Sequence, residues 1–284
     1  MAKERTSPIE APRGPVAGPR LGALSVVTFS FVVVFLVIVL ALIVADLLYT
    51  DAASFREAIL SKEVRAAMAL SLLTSGVSLC LIVLFAIPAG YALSRYRFPG
   101  HLIVDTLVDL PIVLPPIVIG FSLLLLFSPR HSFVGEWFSN MGLNPAYTVP
   151  GIILCQFVVS ASYGIRGAKA AFDAADRRFE DLALTLGCTP GQAFRWVALP
   201  MARNGIVAGA ILAWAHAVGL FGPLMVFAGS TRMKTEVMPT TIFLEFTVGH
   251  LEVALAVALL MLAMATVALL AIHALAPGRR WWGG

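Results

Sequence analysis

The stretch Phe172–Pro200, FDAADRRFEDLALTLGCTPGQAFRWVALP, sets the reading of the whole chain. Phe172, Ala175, Phe179, Leu182 and Leu186 recur at three- and four-residue spacing, the mark of one apolar helix face. At 100° per residue they fall within roughly 80° of arc, with Arg177 and Asp181 on the opposite side. Gly187 stands where a helix ends on a left-handed residue. A second helix follows at once: Thr189 suits the N-cap, Pro190 the first helical position, and Gln192 completes a capping box. Phe194, Trp196 and Val197 come next, and Leu199-Pro200 is expected to end this helix. The segment reads as helix, tight glycine turn, short helix, with a face left for something else to cover.

On either side of this polar connection lie long apolar blocks. Hydrophobic residues make up 59% of the 284 positions and charged residues only 13%, whereas a soluble domain keeps roughly 25% charged. About 20 apolar residues carry a helix across a bilayer. Blocks of that order occur near Ala23–Leu48, Ala66–Ile87, Leu102–Phe127, Thr148–Gly164, Gly205–Ala228 and Leu251–Leu275. The expectation is an all-α membrane protein with six transmembrane helices. The fourth block is the weakest, being short and carrying Gln156, Ser160 and Ser162. The first is too long for a signal-peptide core and is read as a retained helix.

The organisation expected is a disordered cytoplasmic tail (residues 1–20), a first span with its outer loop (21–64), a core of five spans (65–275) containing the connection 166–204, and a short tail (276–284). With the amino terminus inside, the inner segments hold Lys3, Arg5, Arg13, Arg20, Arg95, Arg97, Arg166, Lys169, Arg177, Arg178, Arg195, Arg203, Arg279 and Arg280. The outer ones hold only Arg56, Lys62, Arg65, Arg130, Arg232 and Lys234. This bias places both termini in the cytoplasm, and Trp281-Trp282 read as an interfacial anchor. It also accounts for the net charge of +4 without nucleic acid, for which no basic cluster with interleaved aromatics is present. Cys80 and Cys155 lie in apolar blocks and Cys188 in the polar connection, so no disulfide is expected.

The third block contains Asp105, Asp109, Pro111, Pro115 and Pro116. Proline removes a backbone donor and clashes with the preceding turn, so this helix is expected to kink or open near its middle and to face protein or a water-filled path. The two aspartates lie one turn apart near the cytoplasmic end and are read as structural, with Arg95 or Arg97 as partners. His216, in the fifth block, is read first as a hydrogen-bonded packing residue, and Pro223 adds a break.

The connection resembles the cytoplasmic loop of type I ABC importer permeases: Glu-Ala-Ala, three residues, Gly, nine residues, Ile, one residue, Leu-Pro. Here the pattern falls on Asp181-Leu182-Ala183, Gly187, Val197 and Leu199-Pro200, with Thr189 capping the second helix. Tyr91-Ala-Leu-Ser-Arg95, Phe98-Pro99-Gly100 and Asp109-Leu110-Pro111 through Pro115-Pro116 look like the molybdate, tungstate and sulfate branch. Span five departs from that branch: Ala215-His216-Ala217-Val218-Gly219-Leu220-Phe221-Gly222 stands where molybdate permeases carry Arg-Ala-Leu-Gly-Glu-Phe-Gly, so His216 and Leu220 replace an i,i+4 ion pair together.

The resemblance implies the type I permease fold and a translocation path that alternates its access and serves a small oxyanion. Another solute (a phosphonate, a metal, an organic anion) remains an alternative. It implies three protein partners in the inner membrane: a cytoplasmic ABC ATPase dimer docked on the loop, a second permease, identical or related, and an extracytoplasmic binding protein. Pro111, Pro115, Pro116, His216 and Phe221 are the candidates for the path. No cofactor is expected; there is no Gly-x-x-x-x-Gly-Lys-Ser/Thr loop, so ATP is left to the partner. An ion-coupled secondary transporter needs ionisable relays near the midplane, for which His216 is the one central candidate. A membrane enzyme finds no metal spacing or nucleophile motif here.

Overall fold

A computed structural model describes residues 23–275, and every regular element among them is helical. The two tails and the Trp281-Trp282 anchor lie outside the described residues. The chain divides into two units, with the boundary at Leu48/Tyr49.

The first unit holds all but the last residue of helix α1 (Ala23–Tyr49), 27 residues without a break. At 1.5 Å per residue it reaches about 40 Å, enough to span a bilayer. Its hydroxyls turn back on their own backbone: Ser30 Oγ donates to the Val27 carbonyl at 2.7 Å, which removes the cost of a bare hydroxyl in lipid.

The second unit begins with α2 (Ala52–Leu60), capped by Asp51, whose carboxylate accepts from the Ser54 amide at 2.7 Å. Then come α3 (Lys62–Arg95), α4 (His101–Val113), α5 (Pro116–Leu126), α6 (Phe133–Asn140) and α7 (Val149–Ala174). Next are α8 (Arg178–Thr185), α9 (Pro190–Ala193), α10 (Leu199–Val218), α11 (Gly222–Phe227), α12 (Met238–Val248) and α13 (Leu251–Leu275). Four of these runs (α3, α7, the run Pro190–Val218, and α13) are long and apolar enough to cross a membrane singly. With α1 that makes five, and α4 with α5 forms a sixth candidate span bent by 109°.

α7 packs along both α3 and α10. Small residues make this closeness feasible: a Cβ on Gly167 would stand 2.4 Å from the Gly209 Cα, and one on Gly164 would stand 2.5 Å from Ile82. Helices in lipid associate through such backbone approach and through polar links, because lipid is as apolar as leucine. The links are present as well. Ser78 Oγ donates to Gln156 Oε1 at 3.0 Å, Gln156 Nε2 to the Ala217 carbonyl at 3.2 Å, and Trp214 Nε1 to Ser75 Oγ at 3.2 Å. Gln156, Ser160 and Ser162 are all buried.

The structure refines the sequence reading in three places. The fourth span is the least apolar of the single spans, as read, but it is not short: it runs to Ala174, and its polar residues face protein rather than lipid. The third span opens near its middle, as read. Pro111 is accommodated inside α4, while the chain breaks at Leu114-Pro115 and restarts with Pro116 at the first turn of α5. The fifth span ends at Val218, and the remainder of its block forms the short α11.

Candidate functional site

The segment that opened the sequence reading is two helices and a turn. The apolar face read across Phe172–Leu186 is split, because α7 ends at Ala174 and α8 starts afresh at Arg178. Phe172 and Ala175 are buried against the bundle. Phe179, Leu182 and Leu186 are 53%, 56% and 78% exposed, and Trp196 beyond the turn is 68% exposed. Ala183 and Glu180 take the inward side of α8 instead. The exposed apolar face is thus a patch built on α8 and the turn.

Gly187 ends α8 at φ +93°. The Cys188 amide donates to the Ala183 carbonyl and the Gly187 amide to Leu184, each at 3.0 Å, the paired bonds of a Schellman end. Thr189 opens α9 with a capping box: its amide donates to Gln192 Oε1 at 2.8 Å and its hydroxyl accepts from the Gln192 amide at 3.3 Å. Leu199-Pro200 does not end the second helix. The chain widens into a π turn over Phe194–Ala198, the Leu199 amide reaching back to the Phe194 carbonyl, and continues as α10. Pro200 lies in the first turn of α10, where its missing donor is tolerated after that wider turn. Val197 and Leu199 are half-buried and Pro200 exposed.

Asp181 is exposed on α8, with its nearest cation Arg177 at 3.9 Å one turn away. Such a pair contributes little by itself. Its neighbour Glu180, which the sequence reading passed over, is buried. Glu180 Oε1 accepts from Arg95 Nε at 2.8 Å and stands 2.7 Å from Arg95 Nη2, and Oε2 accepts from the Tyr91 hydroxyl at 2.9 Å. Arg95 Nη2 also donates to the Ala175 carbonyl at 3.0 Å. The pair is only 7–8% exposed. Tyr91 packs edge-on against Phe172 and Phe194, with centroids 5.2 and 4.7 Å away. One joint therefore ties the exposed α8 to the last turn of α3 and the end of α7.

Arg95 is accordingly not the partner of the α4 aspartates, nor is Arg97. Arg166 of α7 fills that place: Nη1 donates to Asp105 Oδ1 at 2.8 Å, Nη2 to the Asp105 carbonyl at 2.6 Å, and Nε and Nη2 to the two oxygens of Asp109. The structural role read for the aspartates stands, with a different cation.

Of the path candidates, Pro116, His216 and Phe221 line one cavity of about 370 Å³ together with Gly219, Gly222 and Pro223. Pro111 and Pro115 do not line it. The cavity lies where two broken helices meet, the α4–α5 break and the α10–α11 break. α5 presses on α11 so closely that a Cβ on Gly120 would stand 2.7 Å from the Pro223 Cα. Phe221 is tilted on Phe243 with centroids 5.0 Å apart. His216 Nδ1 lies 3.1 Å from Ser160 Oγ, and its ring stacks on Tyr163 at 4.5 Å.

Comparison with known proteins places this architecture. Residues 82–281 match the family described as binding-protein-dependent transport system inner membrane component. The chain is 33% identical over 245 residues to the sulfate transport system permease protein CysT of Escherichia coli, covering 86% of this chain and 88% of that protein. It is 33% identical over 237 residues to the molybdenum transport system permease protein ModB of Mycobacterium tuberculosis, covering 83% and 88%. Among solved structures, a bacterial ABC transporter that imports the acidic polysaccharide alginate matches with TM-score 0.73 at 18% identity, over 89% of this chain and 94% of that one. That last likeness concerns the fold. The chain belongs to the binding-protein-dependent inner membrane component family, the permease subunits of ABC importers, and is a transport subunit rather than an enzyme.

Proposed function

We propose that this permease forms the translocation path for a small tetrahedral oxyanion, sulfate or molybdate and tungstate. The observation that carries the permease role is the exposed Phe179–Leu182–Leu186–Trp196 patch, set on a helix that the Arg95–Glu180 pair fixes to the bundle. Such a surface suits the groove of a cytoplasmic ATPase, which binds and hydrolyses the ATP. Asp181, Leu182, Ala183, Gly187, Thr189, Val197, Leu199 and Pro200 make up this coupling element. The excess of Lys and Arg in the segments at this end puts it, with both termini, on the cytoplasmic side.

A second permease completes the path, and an extracytoplasmic binding protein selects the ion and delivers it. ATP binding closes the ATPase dimer, and α8 and its joint carry that motion to α3, α7 and α10. The oxyanion reading is supported by relatives named for sulfate and for molybdenum transport at similar identity. The test is calorimetry on the binding protein that co-purifies with the complex, against sulfate, molybdate, tungstate and phosphate. The expected result is tight binding of at least one of the first three. Tight binding of an amino acid or sugar with no oxyanion bound refutes the reading.

A further inference from the structure

His216 sits in α10 two residues before the helix ends, and its ring is held from two sides. Ser160 Oγ, fully buried, lies 3.1 Å from Nδ1, and Tyr163 stacks on one face. The Ser160 hydroxyl makes no other hydrogen bond among the described residues. The 3.1 Å contact fits either direction; we take the tautomer in which Ser160 donates to Nδ1, because it alone gives the buried hydroxyl proton an acceptor. The neutral ring then carries its own proton on Nε2, and a protonated ring carries one there as well. Nε2 has no protein partner among the described residues, while His216 lines the cavity at the meeting of the two broken helices. The pocket is open-sided, with about 370 Å³ accessible to water. It therefore has room for an oxyanion with part of its hydration.

We propose that His216 presents its Nε2–H to the oxyanion as it passes this cavity, with Ser160 and Tyr163 fixing the tautomer and the aim of the ring. This rests on the oxyanion reading above. A donor of this kind suits a path better than a bound cation. One hydrogen bond replaces part of the lost hydration, and without a full opposite charge the ion leaves again, as conduction requires. The recognition is of a generic anionic oxygen, so selection among oxyanions stays with the binding protein.

The test uses the complete transporter in proteoliposomes, with labelled sulfate and molybdate, the binding protein inside its normal working range, and uptake and ATP hydrolysis read together. His216→Leu fills the same space without a donor, whereas His216→Gln keeps an N–H near the position of Nε2. The expected result is a fall in uptake of about tenfold for His216→Leu, with assembly unchanged, and uptake within about threefold of wild type for His216→Gln. Ser160→Ala, which leaves the ring in place but frees its tautomer, is expected to lower uptake about threefold. A packing histidine gives the opposite order, with leucine tolerated better than glutamine. That order, or undiminished transport by His216→Leu and Ser160→Ala, overturns this inference alone. A wild-type complex that moves neither ion overturns the oxyanion reading and this inference with it.

Discussion

Removing the Glu180 carboxylate tests whether the proposed docking surface is mechanically fastened to the bundle. In Glu180→Ala the Arg95 guanidinium, 8% exposed, keeps only the Ala175 carbonyl and the Ser94 hydroxyl, at 3.0 Å each, and Tyr91 loses its acceptor. Breaking one side of a buried ion pair costs about 3–5 kcal/mol. The joint sits at the end of α3, a helix of 34 residues. At about 51 Å that helix outruns a bilayer core of about 30 Å, so water reaches this end and the lower figure of about 3 kcal/mol applies. Local opening of α8 then rises about 100-fold, at 1.4 kcal/mol per factor of ten. Hydrogen exchange of the amides between Arg178 and Gly187 in the detergent-purified complex reads this directly. Exchange across α12 serves as the reference that stays fixed. Arg95→Met alone is expected to do the same, and the double variant to cost less than the sum of the two. Unchanged protection of α8 in Glu180→Ala, or strict additivity, refutes the reasoning.

Two further outcomes concern the coupling loop and the orientation of the chain. Gly187→Val forces a β-branched residue to φ +93°, a strain of roughly 1–2 kcal/mol. It is expected to leave the permease in the membrane but weaken ATPase association in pull-downs, more than Asp181→Ala does; full uptake and association in both variants would remove the loop as the coupling element. Cysteines placed at Arg130 or Arg232 should react with an impermeant reagent in intact cells, and cysteines at Lys169 or Arg178 should not; labelling at Lys169 would invert the assigned orientation.

The Gly187 turn and the Thr189 capping box were legible in the sequence because both are local: a positive φ and an N-cap hydrogen bond are specified within four residues. The spans were legible wherever a block was uniformly apolar. Reading failed where a residue's fate was set by a distant helix. Gln156, Ser160 and Ser162 weaken a hydropathy window, yet Ser78, Ala217 and His216 satisfy two of them from other helices. Glu180 and Asp181 are adjacent acidic residues, and only the position of Arg95, 85 residues earlier, decides which is buried. Arg166 was counted as a loop cation because α7 was ended too soon. The π turn left no signal beyond Pro200 itself, since a proline preceded by helix reads locally as a stop.

The clamp on Arg166 also has a temporal side. Asp109 is made 57 residues before the cation that neutralises it, and Asp105 61 residues before. At about 5–20 residues per second, the ribosome leaves α4 with two uncompensated carboxylates for roughly 3–11 s. Until then the cation that holds both carboxylates in the folded protein is absent, so α4 is expected to settle only after α7 is made. α7 brings the arginine, and with it the small-residue groove against which α3 and α10 close. The order of synthesis thus makes α7 the helix on which the membrane assembly of its predecessor depends, and a ribosome stalled before Arg166 would hold a nascent chain with α4 still unsettled.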